Sequence, residues 1–338
     1  DTWLPSTPRV PVMLLRRVCQ GPCAAAVARR LSTAPPVQEI TKVGMVGLGL
    51  MGHGIAQMAA SSGYQVVAVE TSQEALQQGQ ERITSSVSKL LSKQVAKGKL
   101  TEQEAAEKEA STLGQLTYST DLNDLDNCDL IVEAIIEDVS IKLPFYEALG
   151  KTVKPEAIFA SNTSSLSVKE MADASGRPDR FVGLHFFNPV QLMKLVEVIR
   201  TEDTNPEAFE LSKHWAQSIG KTTVSCSDTP GFIVNRLLVP AMAQGMLMVD
   251  RQEASVEDID VSMQLGAGHP MGPLTLADYV GLDTCLSILE GWREKYPNEA
   301  AFVLPECLQA KVAAGKFGRK SGEGFYKWEG DKRGAAVA

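Results

Sequence analysis

The chain has 338 residues, of which 44% are hydrophobic and 22% charged, and its formal net charge is -8. This composition is that of a globular protein and excludes disorder over most of the chain, and the length exceeds the roughly 250 to 300 residues that one core organises, so we expect two domains. The acidic balance argues against a broad nucleic-acid-binding face, which needs clustered positive charge.

The first 36 residues differ from the rest in charge. They hold five arginines, no lysine and one acidic residue, so they carry +4 and leave -12 for residues 37–338. An arginine-rich, acid-poor start with Ala, Ser and Leu is typical of a mitochondrial transit peptide. We therefore expect residues 1–36 to be a transit peptide whose natural start is Met13, and the mature protein to lie in the mitochondrial matrix. A disordered leader without a targeting role is the alternative.

Two further classes of protein find little support. The most suggestive apolar stretch, 237–249, has 13 uncharged residues, short of the roughly 18 that a membrane-spanning helix needs. The cysteines show neither the spacing of metal ligands nor a disulfide framework. The sequence thus predicts no transmembrane segment, no bound metal and a reducing compartment.

Short apolar runs separated by helical patterns predict an α/β domain with a mainly parallel sheet. Buried strands are predicted at 42–47, 65–70, 129–134, 157–161, 181–185 and 195–199. The stretch 75–113 instead has the periodicity of two long helices, with a capping box of Thr101 and Glu104 at the start of the second. Beyond residue 227 the patterns are almost entirely helical until 324–328. We predict a Rossmann-type domain at 37–227 that contains the helical pair as an insertion, and a mainly α-helical C-terminal domain at 228–338.

A glycine loop follows the first predicted strand and precedes a helical pattern. It matches GxGxxG over six residues: Gly47, Leu48, Gly49, Leu50, Met51 and Gly52. In such loops the glycines permit a tight turn, close approach to a pyrophosphate and close helix packing, and the helix N-terminus faces the anion. Glu70 ends the second predicted strand, where it would accept hydrogen bonds from a ribose 2′-hydroxyl and disfavour a 2′-phosphate. The loop therefore predicts NAD as the cofactor.

One of the four histidines is placed to act as a general base. His185 ends a predicted strand, and ligands bind at the carboxyl ends of strands in α/β sheets, although a histidine there can equally be structural. Glu197 interrupts an apolar strand, and a buried carboxylate needs a partner. If the two strands form a hairpin around residue 191, His185 and Glu197 face each other. The sequence thus predicts a His–Glu dyad; structural pairing of Glu197 with Lys194 or Arg200 is the alternative.

Several longer motifs, collinear from residue 43 to 328, resemble those of one enzyme family. They are residues 47–54, 161–165 (SNTSS), 185–189 (HFFNP), 228–236 (DTPGFIVNR), 270–273 (PMGP) and 320–326 (KSGEGFY). All are similar to the L-3-hydroxyacyl-CoA dehydrogenases, and most of all to the short mitochondrial members of fatty-acid β-oxidation. The resemblance implies NAD-dependent oxidation of a 3-hydroxyacyl-CoA to the 3-ketoacyl-CoA, and a homodimer formed through the C-terminal domain.

The resemblance also implies roles for individual residues. His185 would remove the hydroxyl proton, and Glu197 would orient and charge it. Ser164 and Asn235 would complete the catalytic set by hydrogen-bonding the substrate. The implied NAD contacts beyond the glycine loop and Glu70 are Glu137, Lys142, Ser164, Asn188 and Lys320, and the implied coenzyme A contacts are Ser86, Lys93 and Ser164. The lysine-rich run around Lys93 is equally typical of a solvated helix face.

Two alternative functions keep the same fold. Similar glycine loops occur in β-hydroxyacid dehydrogenases that act on small free acids, but those use a catalytic lysine that has no match here. A non-enzymatic role, as in crystallin-like relatives, is the other alternative. The dyad and Asn235 favour the acyl-CoA enzyme over both.

Overall fold

The computed structural model describes residues 39–337, so the predicted transit peptide lies outside the described residues. Eight strands form one sheet: β1 Lys42–Val46, β2 Gln65–Val69, β3 Leu116–Ser119, β4 Leu130–Glu133, β5 Ile158–Ser161, β6 Phe181–Phe186, β7 Leu195–Arg200 and β8 Thr222–Ser227. Their order is β3-β2-β1-β4-β5-β6-β7-β8, and every neighbouring pair is parallel except β6 with β7. The Rossmann-type sheet that the sequence predicts is confirmed.

Helices cover both faces of this sheet and make up most of the C-terminal part. They are α1 Gly52–Ser61, α2 Gln73–Ala96, α3 Glu102–Gly114, α4 Val139–Thr152, α5 Val168–Ala174, α6 Pro206–Ser218, α7 Val234–Asp250, α8 Val256–Ala267, α9 Pro273–Val280, α10 Leu282–Lys295 and α11 Glu306–Ala313. A small antiparallel hairpin, β9 Tyr326–Glu329 and β10 Lys332–Ala336, closes the described chain. None of the helices within 39–337 has the length and apolar character needed to cross a membrane.

The helical pair α2 and α3 forms as the sequence predicts. The capping box is present, because the Thr101 hydroxyl accepts from the Glu104 amide at 3.2 Å and the Glu104 carboxylate accepts from the Thr101 amide at 2.8 Å. Ile83 and Val87 are buried against the core that lies under α1. The opposite, cation-rich face of α2 is therefore left free to meet solvent or a ligand.

The C-terminal helices build a separate apolar core. Met242 and Met246 of α7 are buried together with Trp292 of α10 and Phe325 next to β9. The sequence of α7 is apolar on every side, and the structure buries only one of them: Leu237 is 70% exposed. On the neighbouring helix α8, Leu265 is 84% exposed. Both helices therefore leave large apolar side chains exposed at the surface of the C-terminal part.

Candidate active site

His185 and Glu197 form a buried dyad. They face each other on the antiparallel strands β6 and β7, which confirms the predicted register. His185 Nδ1 lies 2.7 Å from Glu197 Oε2, and the two side chains are 7% and 0% exposed. Because a carboxylate can only accept, Nδ1 carries the proton and the neutral ring has its lone pair on Nε2. The pairing of Glu197 with Lys194 or Arg200 is not found in the described structure.

The second oxygen of Glu197 is held by the start of α7. The backbone amides of Ile233 and Val234 donate to Oε1 at 3.1 and 2.8 Å. Amides in the first turn of an α-helix have no partner within the helix, and the N-cap residue of α7 offers them no side-chain cap. The Glu197 carboxylate therefore caps α7, and the positive end of the helix dipole stabilises its charge. Asn235 follows directly and donates to the Ser164 carbonyl oxygen at 3.5 Å. The start of the C-terminal helices thereby completes the dyad.

The loop after β5 places Ser164, and one carboxylate anchors that loop. Glu137 Oε1 accepts from the Thr163 hydroxyl at 2.5 Å and from the amides of Ser164 and Ser165 at 2.9 and 3.3 Å. Burial would raise the pKa of Glu137, but the ammonium of Lys142 and the bonds from Thr163 and Ser164 together lower it. Glu137 is therefore an ionised carboxylate at neutral pH.

Lys142 lies between two carboxylates. Its Nζ is 2.9 Å from Glu133 Oε1 and 2.8 Å from Glu137 Oε2, and its side chain is 1% exposed. Glu133, fully buried, also accepts from the hydroxyls of Tyr146 and Ser161 at 2.9 and 2.8 Å. Burial holds the pKa of Tyr146 well above its ordinary value, so this hydroxyl stays a donor. Sequence reasoning did not find Glu133, because a single acidic residue at the end of a strand has no distinguishing pattern.

The glycine loop has the shape that a dinucleotide requires. Gly47 has a φ of 87°, and a Cβ added there would lie 2.7 Å from the Ala134 carbonyl oxygen, so only glycine fits. A Cβ added at Gly49 would meet nothing within 4 Å, which leaves open space beside the uncapped start of α1. Glu70 follows β2 and accepts from the Leu48 amide at 2.5 Å. The residues present therefore fit NAD, with a pyrophosphate at the helix N-terminus.

A cavity of about 490 Å³ lies at the carboxyl ends of β4, β5 and β6, next to the point where the strand order reverses at β1. It brings together eight of the predicted site residues: Leu50, Met51, Glu137, Lys142, Ser164, His185, Asn188 and Asn235. Crevices at such a reversal are where α/β sheets bind their ligands. The cavity thus joins the His185 imidazole, the Glu137 carboxylate and part of the glycine loop.

A second cavity, of about 640 Å³, adjoins the first through the segment after Asn188 and is strongly basic. Ser86 and Lys93 of α2 both line it, as the resemblance implies. Four further cations share the lining: Arg82, Lys89, Lys97 and Lys99. Lysines that look like a solvated face in the sequence therefore surround a concave site, which suits a polyanionic ligand.

Lys320, a predicted NAD contact, lies in the C-terminal part of the structure. Its Nζ lies 2.6 Å from Asp283 Oδ2 at the start of α10. Neither the cavity at His185 nor the basic cavity is lined by it.

Comparison with known proteins gives one consistent family. Residues 42–229 match the model of the 3-hydroxyacyl-CoA dehydrogenase NAD binding domain, and residues 231–328 match that of its C-terminal domain. The chain is 44% identical to the mitochondrial hydroxyacyl-coenzyme A dehydrogenase of Sus scrofa, over 94% of this chain and 98% of the relative. It is 48% identical to a probable 3-hydroxybutyryl-CoA dehydrogenase of Deinococcus radiodurans, over 85% and 100%. The crystal structure of (S)-3-hydroxybutyryl-CoA dehydrogenase from Ralstonia eutropha is similar with a TM-score of 0.80 and 38% identity, over 86% and 100%.

Proposed function

We propose a residue-level mechanism for this chain, which belongs to the 3-hydroxyacyl-CoA dehydrogenase family and is therefore an NAD-dependent oxidoreductase. The chain oxidises the C3 hydroxyl of a 3-hydroxyacyl-CoA to the ketone, with His185 as the general base. One observation carries the assignment. His185, held from behind by the buried Glu197, lines the same cavity as Ser164, Asn188 and Asn235.

His185 Nε2 takes the hydroxyl proton as the C3–H bond breaks, and it returns that proton in the reverse direction. A neutral imidazole suits this role because imidazole readily accepts and releases a proton near neutral pH. Glu197 fixes the tautomer that leaves Nε2 free, and its charge stabilises the imidazolium that forms. Ser164 and Asn235, which line the same cavity, orient the substrate oxygen.

When bound, NAD+ supplies the acceptor for the hydride that leaves C3. The glycine loop and Glu70 would hold its adenosine and pyrophosphate, and Asn188, Glu137 and Lys142 would face the nicotinamide end. The basic cavity with Ser86 and Lys93 would bind the phosphates of coenzyme A. A small free acid would leave this cavity unused, which favours the thioester substrate.

The remaining proposals concern location and assembly. Relatives from pig and human are mitochondrial by name, and we assign this chain to mitochondria, specifically to the matrix. Residues 1–36 serve as the targeting segment, 37–227 as the NAD domain and 228–338 as the C-terminal domain. A fusion of residues 1–36 to a fluorescent protein should enter mitochondria, and diffuse cytosolic signal would contradict the proposal.

The exposed apolar residues of α7 and α8, Leu237 and Leu265, support a homodimer through the C-terminal domain. Light scattering at micromolar concentration should give the mass of two chains. A monomer under those conditions would contradict the assembly.

The assignment of His185 is tested by His185→Gln, with acetoacetyl-CoA and NADH as substrates and NADH absorbance as the signal. Turnover should fall by about three orders of magnitude, while the dissociation constant for NADH, measured by fluorescence, stays within a factor of about two. His214→Gln, on the exposed face of α6, is the matched control and should leave turnover unchanged. Turnover of His185→Gln near the wild-type value would overturn the assignment.

A further inference from the structure

Glu133, Lys142 and Glu137, here called the Glu–Lys–Glu cluster, carry one more negative than positive charge. The ammonium of Lys142 contacts a carboxylate on each side, at 2.9 and 2.8 Å. Lys142 and Glu133 are 1% and 0% exposed, so water screens them little. Glu137, with 35% of its side chain exposed, carries the excess charge to the wall of the cavity at His185.

The proposed reaction moves a positive charge across this cavity. The oxidised nicotinamide ring is positive and the reduced ring is neutral, while His185 is neutral before the reaction and positive after it. The C3 hydride reduces the ring and the hydroxyl proton goes to Nε2, so the total charge is conserved. Each position of the positive charge has its own carboxylate: Glu197 behind the imidazole, and Glu137 in the lining of the cavity that Asn188 also lines.

We propose that the Glu–Lys–Glu cluster sets the preference of this site for oxidised over reduced cofactor by stabilising the positive nicotinamide ring. Within residues 39–337, Lys142 is the one lysine or arginine that lines this cavity, and the two carboxylates outnumber it. A fixed negative charge stabilises the charged ring and is indifferent to the neutral one. This inference rests on the proposed function, because that function places the nicotinamide beside His185.

Two variants separate the charge of the cluster from its contacts. Glu137→Gln removes the charge at the cavity wall and keeps an oxygen that can accept from Thr163 and Ser164. Its NH2 group cannot accept from Lys142, which retains its contact with Glu133. Glu133→Gln removes a charge that does not line the cavity: its amide oxygen can still accept from Lys142, and its amide nitrogen can donate to the hydroxyls of Tyr146 and Ser161. Glu147→Gln, on the exposed side of the same helix as Lys142, changes the net charge equally and is the control.

The readout is the pair of dissociation constants for NAD+ and NADH, measured by calorimetry and fluorescence without acyl-CoA. In Glu137→Gln the ratio of the NAD+ constant to the NADH constant should rise by about tenfold, and in Glu133→Gln by about threefold. The ratio should stay unchanged in Glu147→Gln. A thermal melt verifies that each variant is folded, and the Glu137 variant alone decides the matter if Glu133→Gln fails to fold.

Equal weakening of NAD+ and NADH in Glu137→Gln would overturn the inference, because it would mean that Glu137 acts only by holding the Ser164 loop. This failure differs from failure of the proposed function. If wild-type protein binds neither form of the cofactor, the proposed function is wrong. If both forms bind and only the ratio is insensitive to the cluster, the proposed function stands.

Discussion

Glu197→Gln probes the dyad without emptying its site. The backbone amides of Ile233 and Val234 need an acceptor, so they fix the amide oxygen of the new side chain toward α7. Its NH2 group then faces His185 Nδ1 and donates to it, which moves the ring proton to Nε2. The nitrogen that faces the cavity is no longer a base.

The magnitude follows from the geometry. With Nδ1 and Oε2 2.7 Å apart, the centres of the two charges lie about 4 Å apart, and at an effective dielectric constant of about 20 their attraction is about 4 kcal/mol. Losing that stabilisation of the imidazolium corresponds to about three orders of magnitude in kcat. The KM for NADH should change little, since Glu197 is fully buried behind the histidine.

The assay is steady-state turnover in both directions with a parallel thermal melt: oxidation of 3-hydroxybutyryl-CoA by NAD+, in which Nε2 must act as the base, and reduction of acetoacetyl-CoA by NADH. Glu197→Ala serves as the comparison. Unlike glutamine, alanine leaves the two α7 amides without an acceptor, so this variant should lower the free energy of unfolding by about 1–3 kcal/mol. A Glu197→Gln variant that retains more than about a tenth of wild-type kcat would refute the tautomer argument. A variant whose main defect is a lowered melting temperature would favour a structural role for Glu197.

Two further predictions concern the basic cavity and the sheet. Lys93→Ala should raise the KM for acetoacetyl-CoA by about threefold to fivefold at low salt and leave the KM for NADH unchanged. The control is Lys108→Ala, which changes an exposed lysine on α3. Equal effects of Lys93→Ala on both KM values would contradict the binding of coenzyme A in the basic cavity. Asp129 binds the amide of Thr41 at 2.8 Å and Lys154 at 2.6 Å; burial would raise its pKa, but these bonds lower it. Asp129→Asn should therefore cost about 2 kcal/mol of unfolding free energy at neutral pH. A carboxyl whose folded-state pKa is lowered stabilises the fold fully above the unfolded value of about 3.9 and loses that contribution as the pH falls through the lower folded-state value, so the cost should shrink over that range. A pH-independent cost in urea melts would contradict the assignment.

The parts of the fold that the sequence predicts are those with local signals. Buried strands such as β4 and β5 are continuous apolar runs, and the His185–Glu197 register follows from the position of one hairpin turn. Two strands of the eight-stranded sheet were missed by sequence reasoning, β3 and β8; they lie at the two edges of that sheet and have the polar sequences LTYS and TTVSCS. Edge strands bury little, so they lack the apolar run by which strands are recognised.

The missed parts of the site have the same explanation. The bonds from the α7 amides to Glu197 join residues more than 30 positions apart, and no local pattern announces them. Lys142 sits in a helix where a lysine ordinarily points to water, yet the structure buries it between Glu133 and Glu137. A pairing of buried charges depends on tertiary packing, which periodicity alone does not describe.

The capping of α7 by Glu197 has a consequence for how the protein becomes active. The carboxylate that orients the base belongs to the sheet, whereas the amides that hold its second oxygen come from residues 233 and 234, at the start of the C-terminal helices. During synthesis the cofactor-binding part leaves the ribosome first. We expect the glycine loop of such a nascent chain to fold before the α7 amides hold Glu197 in place. The chain could then bind the dinucleotide without catalysing hydride transfer. Chemistry begins only when the helices that follow have folded onto the sheet.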